Sequence, residues 1–358
     1  MPLLELPQIH VSGDAAALGR GQGEQLKERI GAFVSQRLRA ARAYLYERGI
    51  RDEQAFRALG AACLDALQAW DEPGWVEHQA LAAGAGVDAV DLYTTANMTD
   101  IRDILALPAR AAEAEGCSTA LVPATHAADG AVLAAQSWDL NPGDLDFVVA
   151  VHRRPGTGPE TWSITCAGCP SLIGMNAHGV AVGTTNIKTR GSRVGIPYLS
   201  LLHRALRERD RAAAGRIFTG AARAAAHTYW AADAGGVDDW ECTADSAVHR
   251  AGSGPLYRTN HCLDEGHRER EGEPASPSSR ARLARLGALL DGGGQDVASL
   301  KRLFADRADG SDSINRFAED GQGTSTNACM ISVPARRELW ACRGSADRGA
   351  WTRLAFAS

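Results

Sequence analysis

Cys117 stands in "EGCSTALVPATHAADGAVLAAQSWDL", residues 115–140, with Gly116 before it and Ser118 and Thr119 after it. The thiolate form of cysteine is a nucleophile. A preceding glycine, having no Cβ, leaves room for the tight backbone geometry that attack on its own carbonyl requires. The same residue types also suit a bland role, because free cysteine is among the most buried side chains and fills cores as a small hydrophobe. On spacing alone both roles remain open.

Three other stretches carry less. "CAGC" at 166–169 has the spacing of a redox pair or of half a zinc site, but no second pair follows at a suitable distance, and two small residues at a strand end is the simpler reading. The glycines of "GMNAHGVAVG" (174–183) come without the lysine or the following helix of a phosphate loop, which leaves a turn between strands. "HTYWAADAGG" (227–236) reads as strand residues packed in a core.

These residues need a frame, and the order of elements supplies one. Leu26, Ile30, Phe33, Val34, Leu38, Ala41 and Leu45 recur mostly at spacings of three and four and predict a helix. A second helix is predicted from Glu53 to Trp70 with Asp52 as its cap, and two more over Gly74–Ala83 and Val87–Leu105. At Cys117 the texture changes to short apolar strands, the first two joined by "ATHAADG", whose Asp-Gly signals a hairpin. "DFVVAVHR", "TWSITCA", "LIGMN" and "GVAVGTTN" continue the strands. Helices over 197–209 and 211–226, strands from His227 to Cys262, helices near 279–290 and 295–306, and two strands around "PARRE" complete the chain. The polar stretch 264–279 reads as a surface loop, no linker divides the chain, and there is no internal repeat. Helices, then hairpins, then helices and hairpins again predict an α+β sandwich on antiparallel sheets in a single domain, residues 1–358.

Composition narrows the function. The 358 residues are 45% hydrophobic with a formal net charge of −5, enough for a large core and without the basic face of a nucleic-acid binder. Lysine is nearly absent and arginine carries the positive charge, a habit of composition and not a functional signal. "MPLLELPQIHVSGD" lacks the basic start and apolar run of a secretory signal, and no stretch reaches the ~18 apolar residues of a membrane span. Eight scattered cysteines predict reduced thiols in a cytoplasmic protein with no membrane partner.

The stretch 115–140 resembles the self-cleaving isopenicillin N acyltransferase family of N-terminal-nucleophile hydrolases, whose motif runs acidic residue, Gly-Cys-Thr, hairpin, Gln-Asn-Trp-Asp. Glu115 stands for the acid, Ser118 for the threonine and "QSWD" (136–139) for the last segment. "GMNAHGVAVGTTN", "RTNHCL" (258–263), "SINRFAEDG" (313–321) and "PARRELWACRG" (334–344) resemble further family stretches in the same order. The resemblance implies a four-layer αββα sandwich and cleavage between Gly116 and Cys117. It implies a small helical chain, 1–116, that stays associated with a large chain, 117–358. It further implies that the freed α-amine of Cys117 serves as its own base, since such an amine ionises at about 7.7–8.0. Asn260 matches the family asparagine that stabilises the oxyanion, and Asp139 the aspartate that orients and tunes the new ammonium. Without the family, Asn260 reads as a turn residue and Asp139 as a strand-end carboxylate. His261 is left structural, and Trp138 lines the acyl pocket or belongs to the core.

One departure bears on substrate. The penicillin-forming members carry a Ser-Arg pair before a Gly-Ala-Thr near the final strands. Here "DGQGTSTNACM" runs past that place without it, although Arg316 is retained in the preceding motif. Arg316, Thr324 and Ser325, with Thr326 beside them, become the candidate substrate contacts. Three functions follow as expectations. The first is an amidohydrolase that cleaves a small N-acyl amide or amino-acid derivative through an acyl-cysteine thioester. The second is an N-acyltransferase that passes the acyl group, from acyl-coenzyme A or another donor, to an amine. The third is an uncleaved relative that only binds a ligand. None of them calls for a metal or a cofactor.

Overall fold

The computed structural model describes residues 2–106, 116–272 and 274–357. Strand β1 (Gln8–Gly13) opens the chain and six helices follow: α1 (Ala15–Gln25), α2 (Lys27–Glu47), α3 (Glu53–Trp70), α4 (Glu72–Ala85), α5 (Ala89–Ala96) and α6 (Met98–Ala106). Next come β2 (Ser118–Val122), β3 (Leu133–Leu140), β4 (Val148–Pro155), β5 (Thr161–Cys166), β6 (Ile173–Asn176) and β7 (Ala181–Asn186). Helices α7 (Tyr198–Ala205) and α8 (Arg211–Gly220) precede β8 (His227–Asp233), β9 (Gly236–Cys242), β10 (Ala247–Arg250) and β11 (Leu256–Arg258). The chain closes with α9 (Glu265–Arg268), α10 (Pro277–Leu290), α11 (Val297–Phe304), β12 (Ser325–Val333), β13 (Glu338–Arg343) and β14 (Thr352–Leu354).

The strands form two sheets. One has eight strands in the order β1-β4-β5-β6-β7-β8-β9-β10, and the other six in the order β11-β2-β3-β12-β13-β14. Strand alternation shows how the layers stack, because successive side chains point to opposite faces. On β8, Tyr229 stacks on Phe218 of α8 with ring centroids 4.7 Å apart. The next residue, Trp230, faces the other way and donates its indole N–H to Gln136 Oε1 of β3 at 2.7 Å. On β3, Leu133 and Ala135 pack with Leu286 and Leu290 of α10 and Leu300, Leu303 and Phe304 of α11, while Ala134 and Trp138 join the core shared with the larger sheet. Helices therefore cover both outer faces and the two sheets meet between them. This is the αββα, α+β sandwich that the order of elements and the family resemblance implied.

Asp52 caps α3 as predicted, its carboxylate accepting the Ala55 N–H at 3.0 Å. Other elements differ from expectation. The predicted helix 87–105 is two helices, because Asn97 ends α5 with both its backbone and side-chain N–H groups on the Tyr93 carbonyl. The helix expected over 211–226 stops at Gly220, where the buried Arg223 guanidinium donates to the carbonyls of Phe218 and Thr219 and caps the helix end. β1 and α1 were not anticipated, and β1 pairs with β4 in parallel in an otherwise antiparallel pair of sheets. The stretch 264–279 holds the single turn α9.

Candidate active site

β2 and β3 pair with Ser118 opposite Ser137. Continuing that register backwards sets Cys117 against Trp138 and Gly116 against Asp139. The Cys117 thiol lies 3.8 Å from the Asp139 carbonyl. Gly116 has no room for a side chain, since a Cβ there would sit 2.7 Å from Asp139 Oδ2 and 2.6 Å from an Arg316 guanidinium nitrogen. The glycine is thus what lets the Gly116–Cys117 bond lie directly on a carboxylate and a guanidinium. Asp139 is buried, and burial pushes its carboxyl up to about 6 against the opposing pull of Arg316 and Arg282.

Asn260, just after β11, does not touch the thiol directly but joins it through Arg282. That fully buried guanidinium, on α10, donates to the Cys117 carbonyl at 2.5 Å, to Ser118 Oγ at 3.1 Å and to Asn260 Oδ1 at 3.0 Å. Because arginine only donates, Asn260 must present its oxygen to Arg282 and its NH2 group to the other side. There Nδ2 donates to the Asn186 carbonyl at 3.0 Å. Burial pulls Arg282 down to about 10, with Asp139 opposing. Sequence reading missed Arg282. Its signal was position: Ser279, Arg282, Leu286 and Leu290 share the buried stripe of α10 at spacings of three and four. His261 bonds Ser279 Oγ at 2.8 Å, and burial and three nearby arginines depress it to about 4, which keeps it neutral at neutral pH.

Cys117 opens into a small pocket lined by Trp138, Leu140, Leu172 and Tyr198 together with Thr99, Gln136, Asp139, Thr184, Asn186 and His227. Trp138 is thus a pocket wall. Arg316, Thr324 and Ser325 are outside its lining. Arg316 lies behind the Gly116–Cys117 bond instead, held by Gln322 and by its backbone N–H to Thr326 Oγ1 at 3.0 Å. Ser325 pairs with Leu140 across β12 and β3 and donates to Asn327 Oδ1 at 3.2 Å, while Thr324 is buried at the entry to β12. Glu115 lies outside the described residues. Cys166 and Cys169 are buried thiols at the end of β5, and all eight cysteines are buried and outside any disulfide. Among the described residues no group of His, Cys, Asp or Glu is arranged to hold a metal ion, and no helix is long and apolar enough to cross a membrane.

The sequence profile of the acyl-coenzyme A:6-aminopenicillanic acid acyl-transferase family matches residues 126–348, well over half the chain. The chain belongs to this family. The matched stretch takes in Asp139, Asn260, Arg282 and Arg316, while Gly116 and Cys117 lie just upstream of it. The chain is therefore an enzyme of the acyl-transferring type that the family's description names. Solved structures with a similar backbone include the Caenorhabditis elegans ortholog of N-acylethanolamine-hydrolyzing acid amidase, at 12% identity over 67% of this chain and 100% of that one, with a TM-score of 0.44. A mutant of conjugated bile acid hydrolase from Clostridium perfringens is similar at 10% identity, 67% and 97% coverage and a TM-score of 0.42. Penicillin V acylase from Agrobacterium tumefaciens is similar at 13% identity, 66% and 86% coverage and a TM-score of 0.44.

Proposed function

We propose that the chain is a precursor that cuts itself between Gly116 and Cys117 and then hydrolyses a small N-acyl amide through an acyl-cysteine thioester. The observation that carries this reading is the seating of Gly116 on Asp139 and Arg316 with the adjoining thiol at the mouth of an apolar-walled pocket. In the first step the Cys117 sulfur adds to the Gly116 carbonyl, the peptide nitrogen leaves as the α-amine of Cys117, and water hydrolyses the resulting ester. That amine then takes the thiol proton in each turnover, so no histidine is needed. Asp139, beside the cut bond, balances the new ammonium. Asn260 supplies an amide donor to the oxyanion, its orientation set by Arg282, and losing one such donor typically costs roughly 10²–10³-fold in rate. The acyl group lies against Trp138, Leu140, Leu172 and Tyr198.

Contacts between residues 2–106 and the rest of the chain support continued association of the two pieces after cleavage. β1 contributes an edge strand to the eight-stranded sheet through pairing with β4. Arg37 grips Asp144 with two bonds of 2.9 and 2.6 Å, Arg153 bonds Glu77 at 2.8 Å, and His227 bonds Asp100 at 2.7 Å, all buried. The family's own description favours a second reading in which an amine replaces water at the thioester.

Intact mass under denaturing conditions tests the proposal. The parent should give fragments 1–116 and 117–358, and Cys117→Ala a single chain. One chain in both would remove the α-amine as base and return the uncleaved, ligand-binding reading. Product analysis of the matured protein with an acyl donor, with and without an added amine, separates hydrolysis from transfer.

A further inference from the structure

We infer that Gln136 is the floor of the acyl pocket and sets the length of acyl group the enzyme accepts, an inference that rests on the thioester reading above. Gln136 shares a face of the smaller sheet with Trp138, next to Cys117, and lines the same pocket. Cys117 keeps 8% of its surface accessible and Trp138 5%, while Gln136 keeps none, so the pocket runs inward from the thiol to the glutamine. The Gln136 side chain spans the gap between the sheets and ends against the larger one. Its Oε1 accepts the Thr184 N–H at 2.9 Å and the Trp230 indole N–H at 2.7 Å, and its Nε2 donates to the Thr184 carbonyl at 2.5 Å. Gly183 makes the fit possible, since a Cβ there would lie 2.4 Å from Gln136 Oε1 and 2.5 Å from the Trp230 ring. A side chain tied by three bonds across the sheet gap is held in one place, and its bulk closes the inner end of the pocket. Its terminal atoms occupy the space a longer acyl chain needs. An acyl group reaching it meets an amide whose hydrogen bonds are already satisfied, and displacing that amide leaves buried polar groups of Thr184 and Trp230 without partners.

The experiment uses the matured full-length protein and p-nitrophenyl esters of straight-chain acids from two to ten carbons. The Cys117 thiolate adds to the ester carbonyl, the sulfur–carbon bond forms, and p-nitrophenolate leaves with the electrons of the broken carbon–oxygen bond. Intact mass then reads the acyl adduct on the large chain, with Cys117→Ala as the blank. The parent should be acylated by short chains with a sharp drop beyond them. Gln136→Ala removes four heavy atoms and should move that drop about three to four carbons longer. Gln136→Leu, which keeps the bulk and loses the bonds, should keep the drop near its parent position even where folding yield falls. Adducts whose length profile is the same in the parent and in folded Gln136→Ala overturn the inference alone, as does a Gln136→Leu profile shifted as far as that of Gln136→Ala. Neither adduct nor p-nitrophenolate release above the Cys117→Ala blank at any length in the matured parent overturns the thioester reading and this inference with it.

Discussion

Arg37 and Arg282 are both buried guanidiniums that tie distant segments together, yet their partners differ. Arg37 meets a carboxylate fork to fork, two parallel bonds to Asp144, and so joins α2 to the segment between β3 and β4. Arg282 spreads its bonds over the Cys117 carbonyl, Ser118 Oγ, the Asn260 amide and, at 3.3 Å, Ser278 Oγ, with the Asp139 carboxylate near enough to act on its charge. An ion pair of the first kind is insensitive to small rotations of its neighbours and acts as a staple. A fork spread over a carbonyl, a hydroxyl and an amide fixes the orientation of each acceptor, which matters where a reaction depends on which way an amide points. One residue type thus ties α2 to the segment between β3 and β4 at one place and the Cys117 carbonyl to the Asn260 amide at another.

Breaking the staple should give the larger effect on folding. Arg37→Leu leaves the Asp144 carboxylate buried without its partner, a loss expected to cost about 3–5 kcal/mol in urea unfolding. Protein that does fold should still cleave at the parent rate. Replacing both members, Arg37→Leu with Asp144→Leu, should return most of that stability, because a buried pair is often worth little more than apolar residues of similar volume. If the double variant is as unstable as the single, the pair is not a simple staple. Arg282→Lys tests the other side. Lysine keeps the charge but loses the planar fork. Appearance of the two fragments should slow by about 10²-fold, with a smaller shift of the unfolding midpoint than Arg37→Leu gives. Cleavage within twofold of the parent would make Arg282 a staple like Arg37 and erase the distinction.

The contrast also explains what could be read from sequence. Cys117, Asp139 and Asn260 were singled out by the ordered family resemblance and not by their own surroundings: on residue types alone Cys117 stayed open between nucleophile and core thiol, Asp139 read as a strand-end carboxylate and Asn260 as a turn residue. The α+β sandwich on antiparallel sheets was legible from element order, and the family resemblance added the αββα layering. Arg282 was not, because its stretch "SSRARLARL" is rich in arginine and only its place on the buried stripe of α10 sets it apart. β1 was hidden for a different reason: its pairing partner lies at 150–155, and parallel pairing across such a separation leaves no local turn signal. The break at Asn97 and the early end of α8 come from side chains bonding carbonyls, Asn97 its own preceding turn and Arg223 the end of the helix before it. Helical periodicity does not report such bonds.

Asp139 sharpens the comparison through pH. Two guanidiniums lie near it, yet burial outweighs them and its acid titrates at about 6 in the folded state, above the ~3.9 of an unfolded aspartate. The folded chain therefore binds more protons than the unfolded one between those values. The contribution of Asp139 to stability should therefore be greatest below pH ~4, fall as pH rises to about 6, and level off above, a loss of roughly 3 kcal/mol. Asp139→Asn should abolish that slope and unfold later than the parent at pH 7, while fragments 1–116 and 117–358 form far more slowly. An unchanged slope in the variant would assign the pH dependence elsewhere.

The smallest effect belongs to a third arginine. Arg336 bonds Asp129 at the surface, where the side chains are 43% and 49% exposed. It has the charge and partner type of Arg37, without the burial. Water solvates both groups when the pair is broken, and added salt screens what attraction remains. Arg336→Ala should change unfolding free energy by less than about 1 kcal/mol, and 1 M salt should reduce even that. Cleavage at Gly116–Cys117 should proceed at the parent rate, since neither residue touches the site. A loss as large as that of Arg37→Leu would mean that position in the fold, and not burial, separates the staples from the rest.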